Sequence, residues 1–119
     1  MSRNPFLYLS ELLDGIRAVQ SYTHGMPLEE FVRDEKTLDA CIRRFQIIGE
    51  ASKNLPVQWK NTEPGISWRD VVNFRNLLVH EYFRIDENLL WNTIQEDLTP
   101  LLSACERILQ RVNQNELPS

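Results

Sequence analysis

Apolar residues recur every three or four positions through most of this chain, the spacing of helices that bury one face. Asn4 followed by Pro5 marks a helix start, because an asparagine side chain can accept a free amide and proline fits a first turn that needs no donor. Phe6, Leu9, Leu12, Leu13, Ile16 and Val19 then share a face until His24-Gly25 ends the helix. A short helical turn is expected over residues 27–32, with Glu29 and Glu30 suited to its positive end. A second long helix is predicted over residues 34–54, its stripe made by Leu38, Cys41, Ile42, Phe45, Ile48 and Ser52, with Ile47 at the margin. Gly49 costs that helix about 1 kcal/mol relative to alanine, and close approach by another helix is the usual compensation. Pro56, Pro64 and Gly65 make residues 55–66 a loop with room for one brief helical turn.

Ser67, with Asp70 three residues on, reads as the cap of a third helix predicted over residues 68–83. Asp86 caps a fourth, striped by Leu90, Trp91, Ile94, Leu98, Leu101, Leu102, Cys105, Ile108, Leu109 and Val112. Pro100 lies inside it and is expected to kink or split it, since proline removes a backbone donor and crowds the preceding turn. Residues 113–119 are polar and expected to fray. No segment alternates at period two. The fold class is therefore all-α, an antiparallel bundle of four to five helices in one domain over residues 1–112 with a tail at 113–119. The long fourth stripe could serve the core alone or a partner chain as well.

Composition narrows the class of protein. Of 119 residues, 42% are hydrophobic and 25% charged, as in ordinary water-soluble domains, and no stretch approaches the roughly 20 apolar residues of a membrane span. Met1-Ser2-Arg3-Asn4-Pro5 has no secretory pattern, so a cytoplasmic protein is expected. Cys41 and Cys105 each fall on an apolar stripe and read as buried, unpaired thiols. With two histidines and no CxxC or HExxH spacing, no metal or cofactor is expected. The net charge of −4 at first argues against a nucleic-acid partner, yet residues 33–84 hold nine Lys/Arg against seven Asp/Glu, leaving −6 elsewhere. That leaves room for a local phosphate-binding patch without showing one.

Three polar or ionisable groups interrupt the apolar end of the third helix: Arg75, His80 and Tyr82. Arg75 and Tyr82, seven apart, share a helical face, whereas His80 lies about 140° around from Arg75. One continuous helix would not aim Arg75 and His80 at one point. Either the helix changes geometry near His80, or a second subunit completes the site across a two-fold axis; the second is the favoured expectation. Taken singly, each has a plainer explanation. Arg75 could snorkel or pair with Glu50 or Asp39, His80 could complement a helix C-terminus, and Tyr82 could be an amphipathic core residue.

In context they read differently. Arg75-Asn76-Leu77-Leu78-Val79-His80-Glu81-Tyr82 resembles the Arg-x4-His-x-Tyr motif of the HepT-like toxins, a branch of the HEPN superfamily. Phe45-Gln46-Ile47-Ile48-Gly49-Glu50-Ala51-Ser52-Lys53-Asn54-Leu55 resembles that family's second-helix signature, and Ile66-Ser67-Trp68-Arg69 its approach to the motif. Tyr82-Phe83-Arg84-Ile85-Asp86, Leu90-Trp91 and Glu96-Asp97-Leu98-Thr99-Pro100-Leu101 resemble its continuation. The likeness spans residues 38–102 in the right order.

The resemblance implies a metal-independent endoribonuclease toxin with an RNA substrate, acting as a homodimer. Imidazole suits proton transfer near neutral pH, and a fork-shaped, permanently charged guanidinium suits a phosphorane-like transition state. His80 is thus expected as general acid/base and Arg75 as phosphate clamp, with Asn76 in support. Glu81 and the helix C-terminus should favour the imidazolium form of His80. The resemblance also implies a type VII-like toxin–antitoxin pair, in which a nucleotidyltransferase antitoxin adenylylates Tyr82 and blocks RNA by bulk and charge. Two rivals remain at this stage: a non-catalytic helical module that docks a nucleotidyltransferase or binds a nucleotide, and a structural helical dimer.

Overall fold

Side-chain caps start three of the helices. Asn4 Oδ1 accepts the Phe6 amide at 2.9 Å at the head of α1 (Pro5–Thr23), with Pro5 in its first turn. After a short helix α2 (Leu28–Arg33), Asp34 accepts the Thr37 amide at 3.1 Å and opens α3 (Glu35–Asn54). A one-turn helix α4 (Val57–Lys60) lies in the proline-bounded loop, and α5 (Trp68–Leu78) follows. Asp86 accepts the Leu89 amide at 2.9 Å and opens α6 (Glu87–Glu96), which gives way to α7 (Leu98–Asn113). The computed structural model describes residues 4–80 and 84–118, with residues 75, 79, 80 and 84 described by backbone alone.

The all-α class holds, and three local expectations are corrected. The third helix ends at Leu78 rather than running on through residue 83. Beyond it Val79–His80 (β1) pairs antiparallel with Arg84–Ile85 (β2), Val79 opposite Ile85 and His80 opposite Arg84. The Leu78 carbonyl accepts the Asp86 amide at 2.8 Å, closing the end of the helix across the chain. Two-residue strands are too short to show alternation, which is why periodicity missed them.

The fourth stripe is divided, as Pro100 foretold, but the break falls at Asp97. Its amide reaches back to the Thr93 carbonyl at 2.9 Å and its carbonyl accepts the Leu101 amide at 3.2 Å. Pro100 thereby sits in the first turn of α7, where a missing N–H leaves nothing unpaired.

The tail folds back through residue 118 instead of fraying. Asn115 takes φ 59°, its amide bonds the Val112 carbonyl at 3.1 Å, and the Glu116 amide bonds the Arg111 carbonyl at 2.8 Å. These paired bonds around a left-handed residue form a Schellman motif. The reversed chain lays Leu117 on the core and brings the Pro118 carbonyl to the Trp59 indole N–H at 2.7 Å.

Helix α1 packs against α3 and α7, while α3 also carries α5; α2 bridges α3 and α6. The core between them holds Leu9, Leu12, Ile16, Ile48, Cys105 and Ile108, each essentially inaccessible. Burial of such side chains supplies about 1.5–3 kcal/mol each. Both cysteines are buried and unpaired, and burial pushes the thiols up, Cys41 to about 11 and Cys105 to about 12. No described helix is long and apolar enough to cross a membrane.

Candidate functional site

Helix α5 is positioned along its length by three kinds of contact. At its head the Ser67 carbonyl accepts the Asp70 and Val71 amides at 3.0 and 3.1 Å, and the Trp68 indole N–H donates to the Lys60 carbonyl at 3.2 Å. Along its middle it runs close to α3 because Gly49 has no side chain: a Cβ there would lie 3.0 Å from the Val72 carbonyl oxygen. The compensation expected for an interior glycine is therefore present. Towards its end Phe74 meets Phe45 with ring centroids 4.8 Å apart at 57°, and Leu78 is fully buried.

Arg75 and Asn76 belong to this last turn, between the buried Phe74 and Leu78. Asn76 is exposed, and so is its neighbour Leu77. His80 lies beyond the end of the helix, on β1 opposite Arg84. The backbone changes course before His80. The 140° separation that a continuous helix would impose does not apply. Tyr82 and Glu81 lie outside the described residues, as do the side chains of Arg75 and His80.

A polar group that sequence analysis did not find sits at the other end of α5. Glu63, in the loop before it, is 6% exposed. Its carboxylate accepts from Arg107 Nη2 at 2.6 Å, from Arg107 Nε at 3.1 Å and from Arg111 Nη1 at 2.6 Å. The same Arg111 nitrogen donates to Thr62 Oγ1 at 2.9 Å. The Arg107 hydrogen bonds, then those of Arg111, hold the Glu63 carboxyl below its ordinary range against the opposing effect of burial. Beside the helix, a groove of about 430 Å³ is lined in part by Phe45, Ile66, Asp70, Phe74, Asp97 and Leu101. Among the described residues no three His, Cys, Asp or Glu side chains gather as a metal-binding group.

A family profile described as "Ribonuclease HepT-like" matches residues 12–108. A Thermococcus cleftensis protein named "Probable ribonuclease HepT" is 38% identical over 108 residues, covering 91% of this chain and 98% of its own. A Caldanaerobacter subterraneus protein named "Putative RNase" is 31% identical over 109 residues, covering 92% and 97%. A Methanocaldococcus jannaschii protein named "Gamma-glutamylcyclotransferase and putative RNase" is 30% identical over 116 residues, 98% of this chain but 52% of that one. No solved structure matches.

Proposed function

Since this chain belongs to the HepT-like ribonuclease family, we propose that it is an endoribonuclease toxin that cleaves RNA with Arg75 and His80 and needs no metal for the step. The observation that carries the proposal is the family match over residues 12–108, which contains the whole Arg75–His80 segment. The backbone is compatible with it. Arg75 lies in the last turn of a helix held at its head, middle and end, and His80 lies on a separate, extended segment that is free of the helical angle between them.

The chemistry needs no group beyond these residue types. The RNA 2′-hydroxyl loses its proton and attacks the adjacent phosphorus, while the bond to the 5′-oxygen of the next nucleotide breaks. The proton removed goes to solvent water, and the departing oxygen takes one from His80 in its imidazolium form. The products are a 2′,3′-cyclic phosphate and a free 5′-hydroxyl. Arg75 balances the extra negative charge of the five-coordinate phosphorus, and Asn76, exposed on the same turn, supports the phosphate. In this proposal two copies of the chain form the working enzyme in the cytoplasm. A nucleotidyltransferase antitoxin neutralises it by placing AMP on Tyr82, whose bulk and negative charge stand two residues from His80.

The test is cleavage of RNA by the purified protein in EDTA, beside Arg75→Ala and His80→Ala. Loss of at least roughly 100-fold in each variant, with helical circular dichroism unchanged, is the expected result. Undiminished cleavage by both variants would remove the site assignment. A wild type that binds the nucleotidyltransferase but never cuts RNA would favour the non-catalytic module.

A further inference from the structure

The Glu63 cluster raises a question that stability does not answer. Removing a carboxylate from water is costly, and a well-packed apolar group in its place commonly stabilises a fold as much or more. The best-attested use of such a buried pair is to fix register between elements, because charge-assisted hydrogen bonds are directional while apolar packing tolerates sliding. Glu63 is placed for that use.

On one side it is held by α7. Arg107 and Arg111 lie one turn apart and close on the two carboxylate oxygens from the same helix face. On the other side no slack separates it from α5. The Ile66 amide bonds the Glu63 carbonyl at 3.2 Å, the Trp68 amide bonds the Ile66 carbonyl at 3.1 Å, and Ser67 receives the first amides of the helix. The Trp68 indole ties the same turn to Lys60 at 3.2 Å, and Thr62 Oγ1 donates to the Trp59 carbonyl at 2.7 Å. The contact of α5 with α3 at Gly49 sets how near the two helices lie.

We infer that Glu63 is a positioning residue: gripped by Arg107 and Arg111, it sets the axial register of α5 and thereby the place of Arg75 in the last turn of that helix. The inference rests on Arg75 acting at the RNA phosphate, as proposed above. A rigid helix of 11 residues passes an axial slip at Trp68 undiminished to Arg75. A displacement on the order of 1 Å is enough to cost a reaction up to about 100-fold.

Glu63→Gln keeps the shape of the side chain and removes its charge; Arg107→Gln is a milder cut that leaves Arg111 in place, and Glu63→Asp keeps the charge. The expected result for Glu63→Gln is kcat on RNA down roughly tenfold with KM within about twofold, and substantial recovery in Glu63→Asp. Hydrogen exchange should quicken at the amides of residues 70–78 in both glutamine variants and stay unchanged in α1. Unchanged kcat in Glu63→Gln, or exchange that quickens equally throughout the molecule, would overturn the inference. Should Glu63→Gln not fold, Arg107→Gln decides by the same two criteria. If the wild type proves unable to cleave RNA, the proposed function fails on that count alone, and the exchange pattern still settles whether Glu63 holds the register of α5.

Discussion

Gly49 shows how much a missing methyl can decide. In an exposed helix, Gly→Ala would gain about 1 kcal/mol of helix propensity. Here the added carbon would stand 3.0 Å from the Val72 carbonyl oxygen and 3.5 Å from that of Val71, both backbone atoms of a packed helix. Neither can rotate out of the way as a side-chain tip could. Gly49→Ala is therefore expected to destabilise by about 1–3 kcal/mol, as overpacking does, read as a lowered midpoint in urea unfolding. A raised midpoint would mean that α5 shifts freely. At this scale the candidate site was legible as a motif: Arg75, Asn76, His80 and Tyr82 stand out because their flanks resemble a family. Glu63 was not legible, because its arginine partners lie 44 and 48 residues away and nothing local distinguishes a glutamate between Pro56 and Pro64-Gly65 from a solvated one.

Element boundaries were legible wherever the chain states them locally. Asn4, Asp34 and Asp86 cap their helices through their own side chains, and Pro100 forces a break within three residues of itself. The end of α5 was not, because the residue that receives it is distant. The Leu78 carbonyl bonds Asp86, and the β1–β2 pairing outweighs the helical spacing of Leu77 and Leu78. The C-terminal end of α7 shows the reverse error. A polar stretch suggested fraying, whereas Asn115 can adopt a left-handed conformation that lets the chain turn back. Asn115→Ala should cost about 1 kcal/mol and Asn115→Gly should be neutral or slightly stabilising, measured as thermal midpoints. Equal midpoints for the alanine and asparagine proteins would show that the reversal does not depend on this residue.

Across the whole molecule, the buried carboxylate couples folding to pH. The pKa of Glu63 is lowered in the folded state by Arg107 and Arg111, so its contribution is fully present above the unfolded carboxylate value and is lost as pH falls through the folded one. The stability gap between wild type and Glu63→Gln is therefore expected to be widest near neutrality and to close on the acid side, below about pH 4. Urea midpoints measured from pH 7 to pH 3 check this, and a gap independent of pH would contradict it. The chain's far end is tied into the same region, since Pro118 receives the indole N–H of Trp59 across 59 positions of sequence. Trp59 is wholly enclosed. Its emission is consequently an intrinsic optical gauge of the tail: a peeled terminus admits water to the chromophore and sends its spectrum to the red, with no label attached.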